Sequence, residues 1–250
     1  MCRIATHGAT RGRNEPPNVS KSITWLTPDG DREWFPPLDQ ALDEPEGLLA
    51  AGGDLSPARL LAAYRRGIFP WYSAGQPVLW WSPNPREVLA PGEFRCSRSL
   101  SKTLRNRGFA VTFDCDFAGV VAACAQAREH SAGTWITPEM QAAYCELHRT
   151  GRAHSVEVRL DGVLAGGLYG VLMGRVFFGE SMFSRERDAS KVALALLVER
   201  AIVAKLQLID CQLPTAHLRS LGSKPMSRGE FGALVAKETA GLDVPLFSAS

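Results

Sequence analysis

At 250 residues, with 45% hydrophobic and 22% charged residues, the chain can bury a substantial core as one large domain or two small ones. A net charge of +2 is too small to mark a nucleic-acid binder by composition, so local clusters decide that question. No run of about eighteen apolar residues occurs, and the segment holding Arg3, Arg11, Arg13 and Lys21 has no apolar core; a membrane span and a secretory signal are not expected, and the expected location is cytoplasmic.

Residues 1–33 are polar, without sustained periodicity, and are expected to form a poorly ordered extension. Folded sequence is expected to begin near Trp34-Phe35-Pro36-Pro37. Ser56 to Gly67 is marked as a helix: Ser56 can cap the free amides, Pro57 suits the first turn, and Gly67 can take the left-handed stop. Val78–Trp81 and Glu87–Leu89 read as short strands around a Ser-Pro-Asn-Pro turn. Ser97–Asn106 reads as a basic helix and Phe109–Phe113 as a strand. Helices follow near 116–129 and 138–150, the second opened by Thr137-Pro138 and closed by Gly151. Asp161-Gly162, between apolar runs 154–160 and 163–173, is a hairpin signal, and a third strand is expected over 175–182. A long apolar helix over 189–205, a strand over Gln207–Cys211 and a last helix begun by the capping-box pattern Ser227-x-x-Glu230 complete the chain. This order is α+β, with a small N-terminal α/β domain over 34–96 and a larger mixed-sheet domain over 97–250.

Six cysteines are scattered without a Cys-x-x-Cys pair, as in a reducing compartment. Cys145-x-x-His148, with His154 nearby, lacks a second close pair of ligands, so no metal is expected. Gly166-Gly167-Leu168-Tyr169-Gly170 lies in a hairpin strand and opens no helix, so the phosphate-loop reading fails; the glycines are expected to admit close approach of another backbone or a ligand. Gly179-Glu180-Ser181 begins like a nucleophile elbow, but Phe183 stands where the second glycine belongs. Glu180 and Asp210 are carboxylates inside runs that read as buried strand, which costs several kcal/mol unless they are paired (about 2–7 for a neutral polar group, more for a charge). Arg98, Lys102 and Arg105 share one helix face, as a solvated face or a phosphate contact would. Trp71, Tyr72, Trp80, Trp81 and Trp135 sit beside loop-forming residues, where aromatics can stack on bases, although for Trp80 and Trp81 individually core packing is the expectation.

These pieces together resemble the bacterial leucyl/phenylalanyl-tRNA–protein transferase family. The resemblance is carried by Glu46-Gly47-Leu48-Leu49-Ala50-Ala51-Gly52-Gly53-Asp54-Leu55, Tyr64-Arg65-Arg66-Gly67-Ile68-Phe69-Pro70-Trp71, Trp80-Trp81-Ser82-Pro83, Gly133-Thr134-Trp135-Ile136-Thr137, His154-Ser155-Val156-Glu157-Val158, Gly166-Gly167-Leu168-Tyr169-Gly170, Gly179-Glu180-Ser181-Met182-Phe183-Ser184 and Ile209-Asp210-Cys211-Gln212, over about 35 to 235. It implies a larger domain similar to the acyl-CoA N-acyltransferase fold, and an enzyme that moves leucine or phenylalanine from leucyl-tRNA or phenylalanyl-tRNA to proteins with N-terminal Arg or Lys, feeding N-end-rule degradation. It implies no cofactor, and a monomer is expected. Leu168 stands where relatives often carry methionine and Leu197 where some carry phenylalanine, so an apolar pocket of altered volume is implied.

On this resemblance, Asp210 orients Gln212 at the reacting centre, Glu180 grips the basic acceptor residue, and Trp71, Trp135, Leu168, Phe177, Leu197 and Ile209 line the aminoacyl pocket. Arg98, Lys102 and Arg105 are expected to hold the tRNA. The proton acceptor stays open between these side chains and a ribose hydroxyl. An acyl-CoA-dependent N-acetyltransferase is the alternative, disfavoured because the turn Arg185-Glu186-Arg187-Asp188-Ala189-Ser190 has two acids and no glycine for a pyrophosphate. A non-catalytic RNA-binding module is a third reading.

Overall fold

The computed structural model describes residues 21–129 and 135–247. In chain order the elements are β1 (Thr24–Leu26), β2 (Leu48–Gly52), α1 (Pro57–Tyr64), β3 (Phe69–Pro70), β4 (Leu79–Trp81), β5 (Arg86–Leu89), α2 (Arg98–Asn106), β6 (Ala110–Phe113), α3 (Phe117–Glu129) and α4 (Pro138–Arg149). They continue with β7 (Ala153–Leu160), β8 (Val163–Met173), β9 (Val176–Ser184), α5 (Ala189–Val203), β10 (Leu208–Gln212), α6 (Ala216–Ser220), β11 (Lys224–Met226) and α7 (Arg228–Glu238). The architecture is α+β, as expected.

A four-stranded sheet has the order β1-β2-β4-β3, and a seven-stranded sheet the order β11-β5-β10-β9-β8-β7-β6. The large sheet is mixed, because β10 runs parallel to β9 and antiparallel to β5. Side chains alternate across it: on β9, Val176 and Phe178 join the cluster formed with α3 and α4, whereas Phe177 joins the cluster under α5. Leu49, Ala50 and Trp80 of the small sheet belong to the α3/α4 cluster, so the two sheets share one core.

Local signals hold well. Ser56 accepts from the Arg59 amide, Thr137 from the Met140 amide, and Ser227 and Glu230 form the capping box. Asp161 and Gly162 both have positive φ, as a two-residue hairpin turn requires. A Cβ on Gly166 would lie 2.5 Å from Ala189 Cβ, so this glycine admits the start of α5 against β8.

Two expectations are corrected. Residues 21–33 are not outside the fold: β1 pairs in parallel with β2 and buries Leu26, while the guanidinium of Arg59 donates to Thr27 O and Asp31 O. One apolar residue and strand pairing hold this short segment, which no periodicity could announce. Residues 1–20 of the expected extension, and Gly133 and Thr134, lie outside the described residues. A division at 96/97 does not follow the sheets either, since β5 lies within the large one, between β11 and β10. Pro83 and Pro85 remove the donors a hairpin would use, so β4 and β5 enter different sheets.

Candidate active site

Registered pairing between β9 and β10 ends at Phe178–Asp210. Beyond it Gly179 and Glu180 follow on one strand. The other is bulged between Asp210 and Gln212, where Gln212 takes φ +55°. A cavity of about 420 Å3 opens here, within the range of small-ligand sites. Its wall includes Trp71, Trp135, Leu168, Phe177, Leu197 and Ile209 together with Glu180, Asp210 and Gln212, so the residues expected around a reacting ester meet in one place. Leu194, Met182 and His217 line it as well.

Glu180 is 5% exposed and accepts from two sides. Tyr144 donates to Oε2 at 2.6 Å, and the Gln212 amide donates to Oε1 at 3.3 Å. The Tyr64 and Tyr144 hydroxyls lie 2.6 Å apart. Tyr64 also hydrogen-bonds the Glu180 carboxyl, so the two phenols and the carboxyl form one buried cluster. Burial and the Glu180 charge push both phenols well above their usual range, so they remain donors. Burial likewise pushes the Glu180 carboxyl up to about 7, against the lowering effect of the Tyr144 hydrogen bond.

Asp210 sits differently from what was expected. It is 0% exposed, and its two oxygens receive the Arg86 guanidinium, Nε at 2.7 Å and Nη2 at 2.6 Å. Arg86 is also 0% exposed, donates Nη1 to Gly67 O, and lies 4.6 Å from the ring centroids of Phe69 and Phe231. Oδ1 of Asp210 further accepts the backbone amide of Gln212 at 3.0 Å. Asp210 therefore orients Gln212 through the bulged backbone, whereas the Gln212 side chain turns to Glu180.

Arg98, Lys102 and Arg105 stand apart from the cavity on α2, all exposed. Leu100, the buried residue of this helix, joins the cluster containing Leu194 and Leu197, which fixes α2 against the same side of the large sheet as the cavity.

The matching family models carry the descriptions "Leucyl/phenylalanyl-tRNA protein transferase", over residues 88–236, and its N-terminal domain, over residues 53–84. The leucyl/phenylalanyl-tRNA–protein transferase of Pseudomonas entomophila is 59% identical over 223 residues, covering 89% of this chain and 96% of that protein. The chain belongs to the leucyl/phenylalanyl-tRNA–protein transferase family. Proteins of the same name from Aromatoleum aromaticum and Pseudomonas aeruginosa (strain LESB58) are 59% and 61% identical, covering 87% and 84% of this chain and 90% and 92% of theirs. A GCN5-related N-acetyltransferase from Kribbella flavida overlaps with a TM-score of 0.37 at 16% identity, covering 68% of this chain and 61% of that one.

In this transferase the boundary between the family's two parts falls between residues 84 and 88, at the entry into β5, where the chain passes from one sheet to the other. Burial, reinforced by the Asp210 and Glu87 charges, pushes the Cys211 thiol far above its ordinary value, so Cys211 lines the transferase cavity as a neutral group. Burial, with the Lys191 ammonium nearby, holds the His217 imidazole below its usual range. Sequence reasoning missed Arg86, Tyr64 and Tyr144. Arg86 opens β5 beside the Ser-Pro-Asn-Pro turn, outside the strand expected over Glu87–Leu89, where a charged residue carries no local sign of burial.

Proposed function

We propose that this chain transfers leucine or phenylalanine from leucyl-tRNA or phenylalanyl-tRNA to the α-amine of proteins beginning with arginine or lysine. The observation that carries this reading is the composition of one cavity: a wall of Leu168, Phe177, Leu197 and Ile209, with Glu180 and Gln212 also at its surface. An apolar aminoacyl side chain fills the first part, and a cationic residue pairs with the second.

The amine attacks the ester carbonyl, the C–N bond forms, and the C–O bond to the ribose breaks. The amine's proton ends on the departing ribose oxygen. An ester is already activated, so positioning supplies much of the rate. The Gln212 side chain donates to Glu180, and its amide oxygen can accept from the incoming α-amine. Asp210 and Arg86 act as positioning residues behind it. Glu180, once ionised, pairs with the basic side chain of the acceptor. No step in this scheme requires a cofactor. The acyl-CoA reading is further weakened at the start of α5, where Ser184 Oγ accepts the Ser190 amide that an anion would need. The product bears an N-terminal leucine or phenylalanine, which fits a cytoplasmic, monomeric enzyme feeding N-end-rule degradation. No helix of the described residues is long and apolar enough to cross a membrane.

The test is incubation with leucyl-tRNA or phenylalanyl-tRNA and an Arg-starting peptide, followed by mass measurement. Addition of one leucine or phenylalanine residue is expected, with none on a Glu-starting peptide; no addition from either donor overturns the reading.

The exposed cations of α2 give a second expected result. Alanine at Arg98, Lys102 and Arg105 weakens tRNA binding and flattens its salt dependence by about one unit of slope per lost phosphate contact. Transfer from a minimal aminoacyl-adenosine donor changes much less. Equal losses with both donors would show that α2 supports the fold rather than the tRNA.

A further inference from the structure

The wall of the cavity has a second layer behind it. Leu168, Phe177, Leu194, Leu197 and Ile209 belong to one buried cluster, and the same cluster receives Leu246, with Val244 and Phe247 packed against it. The last described residues of the chain thus back the apolar side of the cavity.

Their course is fixed by specific bonds. After α7, Asp243 pairs with Arg152 and accepts the Gly174 amide, and the Val244 amide donates to Gly174 O at 3.0 Å. Leu246 is 2% exposed. The Phe247 ring stacks on His154 at 4.2 Å and 3°. His154 is itself held, with Nδ1 2.7 Å from Asp114 Oδ2, while Oδ1 of Asp114 accepts the Ser155 amide at 2.8 Å. From this platform the Phe247 ring reaches the Phe177 ring, centroid to centroid 5.9 Å, within the range of aromatic pairs.

Phe177 is also constrained by Gly170 of β8. A Cβ on Gly170 would fall 2.6 Å from Phe177 Cζ, so the bare glycine backbone makes room for that ring. Gly170 and Phe247 thus both bound the position of Phe177.

We infer that the C-terminal tail, through Phe247, sets the depth of the aminoacyl cavity and hence the choice between leucyl and phenylalanyl donors. The inference rests on the proposed reading of this cavity as the aminoacyl site. Phe247 is a positioning residue, acting through Phe177. Protein interiors are close-packed, so removing one ring of such a pair leaves space into which the other can relax. Retreat of Phe177 deepens the cavity, and the longer phenylalanyl side chain gains more from depth than the leucyl one.

The experiment uses the full chain with Phe247→Ala. Leucyl-tRNA and phenylalanyl-tRNA are supplied together at equal concentration with an Arg-starting peptide, and the two products are separated by mass. The phenylalanyl-to-leucyl product ratio is expected to rise about tenfold, the lower end of what one methylene contributes in an apolar pocket. Phe247→Leu shifts the ratio the same way by less, and Phe247→Tyr, which keeps the ring, restores it. Leu242→Ser, at a tail residue 95% exposed, leaves the ratio unchanged. An unchanged ratio in Phe247→Ala and Phe247→Leu enzymes that still use both donors overturns the inference, and so does an equal loss with both, which marks support of the fold alone. If the unaltered chain uses neither donor, the transferase reading fails instead.

Discussion

Arg86→Met is expected to lower the melting temperature by about 10 °C or more. Removing one member of a buried ion pair costs about 3–5 kcal/mol, because the other charge is left in the interior without a partner, and each kcal/mol moves the transition of a chain this size by roughly 2–4 °C. Asp210 would be that stranded charge, since both of its oxygens face the guanidinium. Transfer should fall as well, by about a hundredfold, the scale expected when a reacting group moves by about an ångström. The double variant Arg86→Met with Asp210→Leu separates the two effects. It removes both charges and should regain most of the stability, yet it leaves the Gln212 amide without its acceptor and should not regain transfer. A single Arg86→Met variant that melts normally would show that the pair does not hold the fold. A double variant with full transfer would remove Asp210 from the positioning of Gln212.

The second large effect is a pH dependence centred on Glu180. Burial pushes this carboxyl from its ordinary value of 4.5 up to about 7. Through that window the folded chain retains a proton that the unfolded chain has released, so the contribution of Glu180 to stability is full below the window and declines as pH rises. The total decline is roughly 3 kcal/mol from the size of the shift. Glu180→Gln abolishes this component, so the variant should gain on the parent between about pH 4.5 and about pH 7, the difference in thermal melts isolating the one group. Function runs the opposite way. Only the ionised form pairs with a basic acceptor, so preference for Arg-starting over uncharged peptides should rise through about pH 7 in the parent and stay flat in Glu180→Gln. Parallel melting curves would show that Glu180 does not titrate in this window, and a selectivity that rises equally in both proteins would remove it from acceptor recognition.

What the residues disclosed follows the range of the forces involved. Caps, hairpin turns and helix stops are decided within a few residues, and Ser56, Thr137, Asp161-Gly162 and Ser227 accordingly sit where their chemistry put them. The cavity wall was legible only through the family resemblance, since β8 and α5 are apolar almost throughout and no local period singles out the residues that line it. The pairing of Arg86 with Asp210 spans 124 residues, and Tyr144 meets Glu180 across 36. Such partners are chosen by sheet order, which no local pattern contains. Sheet order also decided that β5 leaves the small sheet for the large one, and that β1 is recruited by β2 despite its polar surroundings. The resemblance implied that Asp210 orients Gln212. It could not show the bulge that gives one a backbone bond to the other.

The hydroxyl of Tyr64 has a consequence for how this enzyme can be divided. Tyr64 closes α1, beside the small sheet, yet it belongs to a hydrogen-bonded cluster that reaches the carboxyl of β9. Phe69 and Trp71, from the same part of the polypeptide, face the cavity opposite residues of the large sheet. The seam between the two parts therefore runs through the cavity proposed as the aminoacyl site. A chain severed in the Ser82–Pro85 turn would yield two inactive fragments, each holding one jaw of a vice, whose reunion would be reported by the return of turnover.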